Sequence, residues 1–412
     1  MYGMYKLCEG LSFQSAGVSQ MNKFYDIVVV GGGPAGSTAA RVAAQRGAKV
    51  LLLEKDREIG VPVRCGEAVG EKGLRRVLEP KPEWIANKIE AVRLVAPDGT
   101  IVKVYHEDIG FVLDRKRFDY DLAMMAAQQG VRVVTKAYVY GLLTENGTVT
   151  GIKVFHLGNH FQVKAKVVIG ADGVESRVGR WAGLKTNVKL KDMETCVQMT
   201  VSNIKLEKSY CDFYFSNQLA PGGYLWVFPK NEHLANIGMG ISGEYAAHKA
   251  PLEYLQEFIE KKFPEAAVLT TVAGGVPCAP FMDKVVTNGL MLIGDAAHQA
   301  NPVTGGGIIQ SIIASEIAGK VAAAAVKEND PSENRLSEYA KQWDKENGGN
   351  HRRAYRLKEA VYKLTDDELN RTAAAISKKP SEKQTIVNIF KTALIQHPKL
   401  IPDVIKIFLA GN

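Results

Sequence analysis

Phe24-Tyr25-Asp26-Ile27-Val28-Val29-Val30-Gly31-Gly32-Gly33-Pro34-Ala35-Gly36 is the stretch from which the rest of the chain can be ordered. Its first seven residues form an apolar, β-branched run that suits a strand buried on both faces. The glycine turn follows at once, then residues 37–46 (STAARVAAQR) read as a helix stopping at Gly47. A second strand, residues 49–53, runs straight into Glu54 and Lys55. Strand, glycine turn, helix, strand and acid in that order form the βαβ fingerprint of a dinucleotide site. Gly31 permits the tight turn, Gly33 lets a pyrophosphate approach the backbone, and Gly36 lets helix and strand pack closely. Pro34 and Ala35 belong to the turn that leads into the helix, at whose N-terminus free N–H groups and the dipole favour the pyrophosphate. Glu54 stands eighteen residues past Gly36, where an acid accepts hydrogen bonds from an adenosine ribose. A glycine turn that served packing alone would leave Glu54 unexplained.

Two later segments favour FAD over NAD. Residues 167–173 (VVIGADG) form another buried strand ending in a turn at Asp172 and Gly173. They follow a meander in which residues 138–144, including Val139, and 148–156 are joined across Asn146-Gly147, a hairpin signal. Residues 290–295 (LMLIGD) are a third buried strand, with Gly294 and Asp295 at its end and Ala296-Ala297-His298 beyond. An acid at such a strand terminus can bond a ribityl hydroxyl. Pro302-Val303-Thr304-Gly305-Gly306-Gly307 then opens an alanine-rich helix over residues 308–326, starting at Ile308. Its N-terminus would offer N–H donors and positive potential to a reduced, anionic flavin ring.

Together these motifs resemble the FAD-binding fold of the p-hydroxybenzoate-hydroxylase-like superfamily, over residues 24–326. Arg115-Lys116-Arg117-Phe118-Asp119 is similar to that group's Arg-x-x-Phe-Asp element, which implies Arg115 in the flavin pocket. Within the superfamily three features resemble the geranylgeranyl reductase family. Val63-Arg64-Cys65-Gly66-Glu67 is similar to the Cys-Gly-Glu segment that family places beside the isoalloxazine. Pro221-Gly222-Gly223-Tyr224-Leu225-Trp226-Val227-Phe228-Pro229 matches its P-x-x-Y-x-W-x-F-P signature at every fixed position. Thr304-Gly305-Gly306-Gly307-Ile308 resembles its form of the last flavin loop. The resemblance implies FAD contacts from Gly31, Gly33, Pro34, Ala35, Gly36, Glu54, Lys55, Arg64, Cys65, Gly66 and Ala68. It implies the same for Arg115, Val139, Asp172, Gly173, Gly294, Asp295, Gly306, Gly307 and Ile308.

The signature also makes physical sense alone. In a strand Tyr224, Trp226 and Phe228 face one side, and an aromatic wall can bury an apolar chain at ~25 cal/mol per Å². Tyr and Trp each add a polar handle. An ordinary core-facing aromatic row is the plain alternative. Cys65 is either a small buried hydrophobe or, beside Arg64, an acidified thiol able to relay a proton. Cys65 and Tyr224 are the candidate catalytic residues, and His298 a weaker candidate for a base.

The implied activity is reduction of isolated C=C bonds in geranylgeranyl groups of ether-lipid precursors, by hydride from reduced flavin N5 plus a proton. The protein would exclude water and align the alkene. Alternatives are an FAD monooxygenase, an aromatic halogenase, and a flavin-containing lipid-binding protein without turnover. A quinone-linked electron-transfer flavoprotein would need cysteine ligands that the spacing does not supply. A single fingerprint leaves the external electron donor open among NAD(P)H, a ferredoxin and another carrier.

Composition is consistent with this reading. The 412 residues are 46% hydrophobic and 23% charged with 39 Gly, which excludes a disordered or fibrous chain. Five cysteines without a C-x-x-C pair argue against disulfides and metal sites and for a reducing, cytoplasmic setting. No apolar run reaches the ~18–20 residues that span a bilayer. Residues 1–20 lack signal-peptide features and are expected to be a loose extension. Net charge is +8, and residues 331–412 hold fifteen Lys/Arg against ten Asp/Glu. That excess is either a solvated helical surface or a face for peripheral contact with anionic lipid. Nucleic acid is a poor third and is not expected as a partner, since no helix-turn-helix, zinc-finger or RNA-recognition signature accompanies the charge.

The expected class is α/β (mixed α+β), with a mainly parallel central sheet. The FAD domain would comprise residues 21–75, 105–180 and 285–330. An antiparallel substrate sheet would comprise 76–104 and 181–284, followed by helices over 331–412. Asp366-Asp367-Glu368 would start a helix there, with breaks at Pro380, Pro398 and Pro402.

Overall fold

The computed structural model describes residues 23–378. The expected extension over 1–20 and the three proline breaks lie outside the described residues. The fingerprint forms β1 (Phe24–Val30), α1 (Pro34–Ala44) and β2 (Val50–Leu53). The helix starts three residues before the sequence suggested, because Pro34 at its first turn has the φ a helix needs and no N–H to lose. Next come β3 (Ala68–Val69), α2 (Glu71–Val77), β4 (Ile85–Val95), β5 (Ile101–Leu113) and α3 (Arg115–Gln128). The chain continues through β6 (Arg132–Val134), β7 (Ala137–Glu145), β8 (Thr148–His156), β9 (Asn159–Gly170) and α4 (Arg177–Trp181). Then follow β10 (Met193–Ser202), β11 (Tyr210–Tyr214), β12 (Tyr224–Pro229), β13 (Leu234–Ser242), α5 (Pro251–Lys262) and β14 (Ala267–Pro277). The last elements are β15 (Val286–Thr287), β16 (Leu290–Leu292), α6 (Ile308–Glu328), α7 (Glu333–Leu336), α8 (Glu338–Trp343), α9 (Gly349–Val361) and α10 (Asp366–Ser377).

The first sheet runs β15-β16-β9-β1-β2-β6, with β8 and β7 added through β9. Strands β16, β9, β1, β2 and β6 are mutually parallel. Val28 pairs with Leu51 on one side and Val168 on the other, and all three are buried. This is why those strands read as unbroken apolar runs: both faces are covered. The β7–β8 hairpin turns on Asn146 and Gly147, both at positive φ (50° and 76°), as its sequence predicts. Helices α1 and α6 cross closely, since a Cβ on Gly319 would stand 2.8 Å from the Ala39 carbonyl oxygen. Helix α6 is the one described helix long and apolar enough to cross a membrane, but 72% of that stretch is buried in the core.

The second sheet runs β14-β10-β13-β12-β11-β4-β5-β3. It is antiparallel except for β4 and β11, which pair in parallel, so the expected antiparallel sheet is corrected there. The division set between residues 104 and 105 also falls inside β5, which stays in this sheet to Leu113 and pairs with β3. One face, with Val197, Met199, Leu225, Val227, Ile237 and Met239, packs under Leu255 and Ile259 of α5. The opposite face turns towards the glycine loops of the first sheet.

The last described helix begins where the acidic triplet sits. Thr365 Oγ1 accepts from the Glu368 N–H at 3.3 Å, and Glu368 Oε2 accepts from the Thr365 N–H at 2.9 Å, a reciprocal cap. Ala373 and Ile376 of α10 then pack on Val102 of β5.

Candidate functional site

Three glycine motifs far apart in sequence meet at the start of α1. Gly31 has φ +107°, and a Cβ there would lie 2.3 Å from the Ala171 carbonyl oxygen in the Ala171-Asp172-Gly173 turn. A Cβ on Gly36 would lie 1.8 Å from the Gly31 carbonyl oxygen, so only glycine lets the helix approach its own strand. A Cβ on Gly294 would touch the Ala35 Cβ at 3.2 Å, and one on Gly307 would stand 3.2 Å from Asp295 Oδ1. The loops after β1, β9 and β16 and the start of α6 are thereby gathered around one helix N-terminus.

A cleft of about 470 Å³ opens there. Gly31, Gly33, Glu54, Lys55, Arg64, Arg115, Val139 and Asp172, all singled out from sequence, line it. Pro34, Ala35 and Gly36 form the helix turn behind Gly33. Gly173 starts the 3-10 turn that follows Asp172. Gly294 and Asp295 lie in the 3-10 turn Gly294–Ala297, while Gly306 and Gly307 precede Ile308, which is buried at the start of α6. Ala68 is exposed on β3, pointing away from the core. Sequence reasoning missed the far wall, where Arg177 donates to the Tyr138 hydroxyl at 2.6 Å and pairs with Glu175 at 2.9 Å beside Trp181.

The donor set suits a dinucleotide. Gly33 has no atom within 4 Å of where a Cβ would stand, leaving its backbone open to a phosphate. Glu54 closes the turn, accepting from the Gly32 N–H at 2.8 Å through Oε2 and from the Asp56 N–H at 2.9 Å through Oε1. Asp172 Oδ2 accepts from the Val178 N–H at 2.9 Å, whereas its buried Oδ1 has no partner. Burial raises the Asp172 pKa, against the pull of that N–H. Asp295 is pushed up to about 6 by burial, with Arg115 opposing. Burial disfavours the charge on Arg115, but its bidentate pairing with Asp119 (2.7 and 2.8 Å) outweighs this and holds it above the usual range.

The Cys65 loop is clamped from the second sheet. Gln198 Nε2 on β10 donates to the Cys65 carbonyl at 2.9 Å, and its Oε1 accepts from the Trp226 indole N–H at 3.1 Å. Glu67, at φ +73°, accepts from the Arg115 N–H at 2.9 Å and from Lys230 Nζ at 2.6 Å, and also from the Asn236 amide. The Glu67 N–H donates to Cys65 Sγ at 3.2 Å. Burial raises the Cys65 pKa; nearby Arg115 only partly opposes it. The environment therefore favours a thiol, in contrast to the acidified group that Arg64 suggested from sequence.

Tyr224, Trp226 and Phe228 do share a face, with ring centroids 5.9 and 6.1 Å apart along β12. That face is partly covered. A Cβ on Gly66 would stand 2.8 Å from the Phe228 ring and 3.4 Å from Trp226 Nε1. Trp226 also lies over Gly238, where a Cβ would be 2.5 Å from the indole. Trp226 and Phe228 therefore brace the Cys65 loop. Tyr224 reaches further, its hydroxyl donating to the Thr304 carbonyl at 2.6 Å. Burial raises the pKa of that hydroxyl. His298 is buried and held by its own contact, Nε2 to the Thr186 carbonyl at 3.2 Å, and burial keeps it neutral by lowering its pKa.

Register explains what the alternation in β10 was carrying. Cys196 pairs with Gly240 and Gly274, and Gly240 pairs with Tyr224, so the row across four strands is Gly, Cys, Gly, Tyr. Glu194, Cys196, Gln198 and Thr200 occupy every second position of a strand whose other face is apolar. That polar alternation was the available signal for Gln198 and Glu194, and the lone amide in Ala235-Asn236-Ile237 was the signal for Asn236.

The fold and cleft define a Rossmann-like dinucleotide-binding protein joined to a large second sheet. Residues 29–87 match the NAD(P)-binding Rossmann-like domain, and residues 192–276 match the geranylgeranyl reductase catalytic domain. The chain belongs to the digeranylgeranylglycerophospholipid reductase family, and it is an oxidoreductase. The family's protein of that name from Methanocella arvoryzae is 44% identical over 389 residues, 93% of this chain and 99% of that one. A Methanococcoides burtonii relative is 43% identical, over 92% of this chain and 94% of its own. The crystal structure of a geranylgeranyl bacteriochlorophyll reductase-like protein from Thermoplasma acidophilum is 36% identical with a TM-score of 0.88, covering 94% of this chain and all of that one (100%). A flavin-dependent brominase at 16% identity and TM-score 0.72, covering 93% of this chain and 98% of its own, shares the fold alone.

Proposed function

We propose that the protein is an FAD-dependent reductase that saturates isolated C=C bonds in the geranylgeranyl chains of ether-lipid precursors such as digeranylgeranylglycerophospholipid. The observation that carries this reading is the Cys65 loop, held between the glycine-built cleft and the aromatic strand Tyr224–Pro229 by Gln198 and Trp226. Cofactor and lipid would meet across that loop.

In this reading Gly33 and the first turn of α1 receive the pyrophosphate, and Glu54 the adenosine ribose. Asp172 and Asp295 would hold the ribityl hydroxyls of the bound cofactor, and residues 304–308 at the start of α6 would supply backbone donors to its ring. When bound, the flavin supplies hydride to a carbon–carbon double bond. The chain's own part is positioning: Arg115 is fixed by Asp119, and Tyr224 ties β12 to Thr304. The electron donor would be an external carrier: NAD(P)H, a ferredoxin or another. The lipid reaches a protein that works in the cytoplasm at the membrane surface.

Anaerobic reoxidation tests this. Dithionite-reduced protein mixed with a geranylgeranylated glycerophosphate should reoxidise, with the lipid gaining two mass units per double bond. A flavin that stays reduced until air is admitted, with a hydroxylated product, would indicate the monooxygenase instead. One that never responds to bound lipid would indicate a binding protein.

A further inference from the structure

Glu194 is a buried carboxyl for which the reading above has no use. It lies on β10 at 5% exposure, and neither oxygen makes a well-formed hydrogen bond, the Tyr362 side chain being only close enough to lower its pKa. Its cross-strand neighbour on β13, Ser242, is also buried with an unpartnered hydroxyl, and its neighbour on β14 is the apolar Val276. Two adjacent polar groups so poorly satisfied are costly in a core and mark a place where chemistry is kept at the expense of stability.

Its surroundings point the group at the aromatic strand. Glu194 Oε2 lies 3.0 Å from where a Cβ of Gly223 would stand and 3.5 Å from that of Gly240, just before and beside Tyr224. The glycines at 240 and 274 flank Cys196 in the same row, and the Cys196 thiol and the Arg64 side chain lie over them. The charged and titratable groups facing it are Asp192, Cys196, Tyr224, Cys278, Lys358 and Tyr362. Lys358 is the cation among them, and its ammonium is held by Asp192 at 3.1 Å and by the carbonyls of Lys191 and Cys278 at 3.0 and 2.9 Å.

We propose that Glu194 is the carboxylic acid that gives the alkene its proton. This rests on the reductase reading. Saturating one double bond adds a hydride, which brings the electron pair of one new C–H bond, and a proton, which takes the π pair for the other. The hydride is what the reduced cofactor supplies. The proton leaves Glu194 as its O–H bond breaks, and water restores it after turnover. Burial supports the assignment: it pushes Glu194 up to about 8 despite Lys358 and Tyr362, so the acid keeps its proton at neutral pH.

The test compares wild type with Glu194→Gln and Glu194→Asp as flavin-loaded protein. Infrared difference spectra of the oxidised protein, titrated from about pH 6 to about pH 9.5, should show a protonated carboxyl that ionises near pH 8. That band should be absent from Glu194→Gln. In anaerobic single turnover with the lipid, wild-type reoxidation should slow above that pH. Glu194→Gln should be roughly a hundredfold slower with no such limb, while its reoxidation by dioxygen stays unchanged. Glu194→Asp should keep a displaced limb, and it carries the test if the amide variant does not fold. Wild-type rates or an intact limb in Glu194→Gln, or no titrating carboxyl in wild type, would overturn the assignment. Wild type that is not reoxidised by the lipid at all would instead overturn the reductase reading.

Discussion

The side-chain amide of Gln198 donates to the main-chain carbonyl of Cys65 at 2.9 Å, joining the middle of the second sheet to the loop that borders the cleft. The same amide accepts from Trp226 at 3.1 Å, so one side chain fixes both the loop and the indole that supports it. A loop has few intrinsic constraints; here its path is set by polar groups on β10 and β13. Replacing Gln198 by Ala strands a buried carbonyl and a buried indole N–H. The expected loss is about 2–4 kcal/mol in urea unfolding, with weaker flavin retention. An unchanged midpoint would show that the clamp does not order the loop.

Two glycines of the fingerprint should separate fold from binding. Gly36→Ala drives a Cβ against the Gly31 carbonyl oxygen, at 1.8 Å before any movement, so soluble folded protein should fall sharply. Gly33→Ala meets no atom within 4 Å, and the residue's φ of −71° suits alanine. That variant should unfold at the wild-type temperature yet lose flavin, because the new methyl occupies the approach of the pyrophosphate. Retained flavin in Gly33→Ala would move the phosphate site elsewhere.

Cys65 should be a sluggish thiol. Burial raises its pKa, and Arg115 only partly compensates. Alkylation by iodoacetamide at neutral pH should run at least about tenfold slower than for free cysteine. A rate faster than free cysteine, read by peptide mass analysis, would restore the thiolate role.

The C-terminal helices should be integral to the fold. Lys358 on α9 is 1% exposed and ion-paired with Asp192 at 3.1 Å. Lys358→Met leaves Asp192 buried with the Tyr355 hydroxyl as its remaining partner, and should cost about 3–5 kcal/mol in chemical unfolding. A loss under about 1 kcal/mol would mean that α9 docks without this pair.

Stability should also fall as pH rises through the neutral range. Glu194 in the folded chain is raised from 4.5 to about 8, so between those values the native state holds a proton that the unfolded chain has released. Its contribution is complete below the lower value and declines by up to about 1.4 kcal/mol per pH unit until the upper one. Asp295, raised from 3.8 to about 6, acts in the same direction over its own window. Urea midpoints at successive pH values should flatten between pH 6 and 8 in Glu194→Gln, where wild type slopes downward. Equal slopes in both proteins would remove Glu194 as the cause.

Much of the fold was legible because its signals are local. The βαβ unit follows from the spacing of Gly31, Gly33, Gly36 and Glu54, and the β7–β8 hairpin from Asn146-Gly147; a few neighbouring residues suffice to set such turns. Alternation placed Tyr224, Trp226 and Phe228 on one face for the same reason. The parallel contact of β4 with β11 was not legible, because pairing between distant strands depends on which partner the sheet supplies.

The sequence by itself determined the dinucleotide fold, the identity of its glycine turns and the side on which the aromatics stand. Only the tertiary structure decided what lies against them. It brought Gln198 and Asn236 to the Cys65 loop, sealed Trp226 and Phe228 beneath Gly66, and buried Glu194 without a well-formed hydrogen bond. Periodicity specifies a direction for each side chain, whereas protonation and exposure depend on every atom that arrives from elsewhere in the chain.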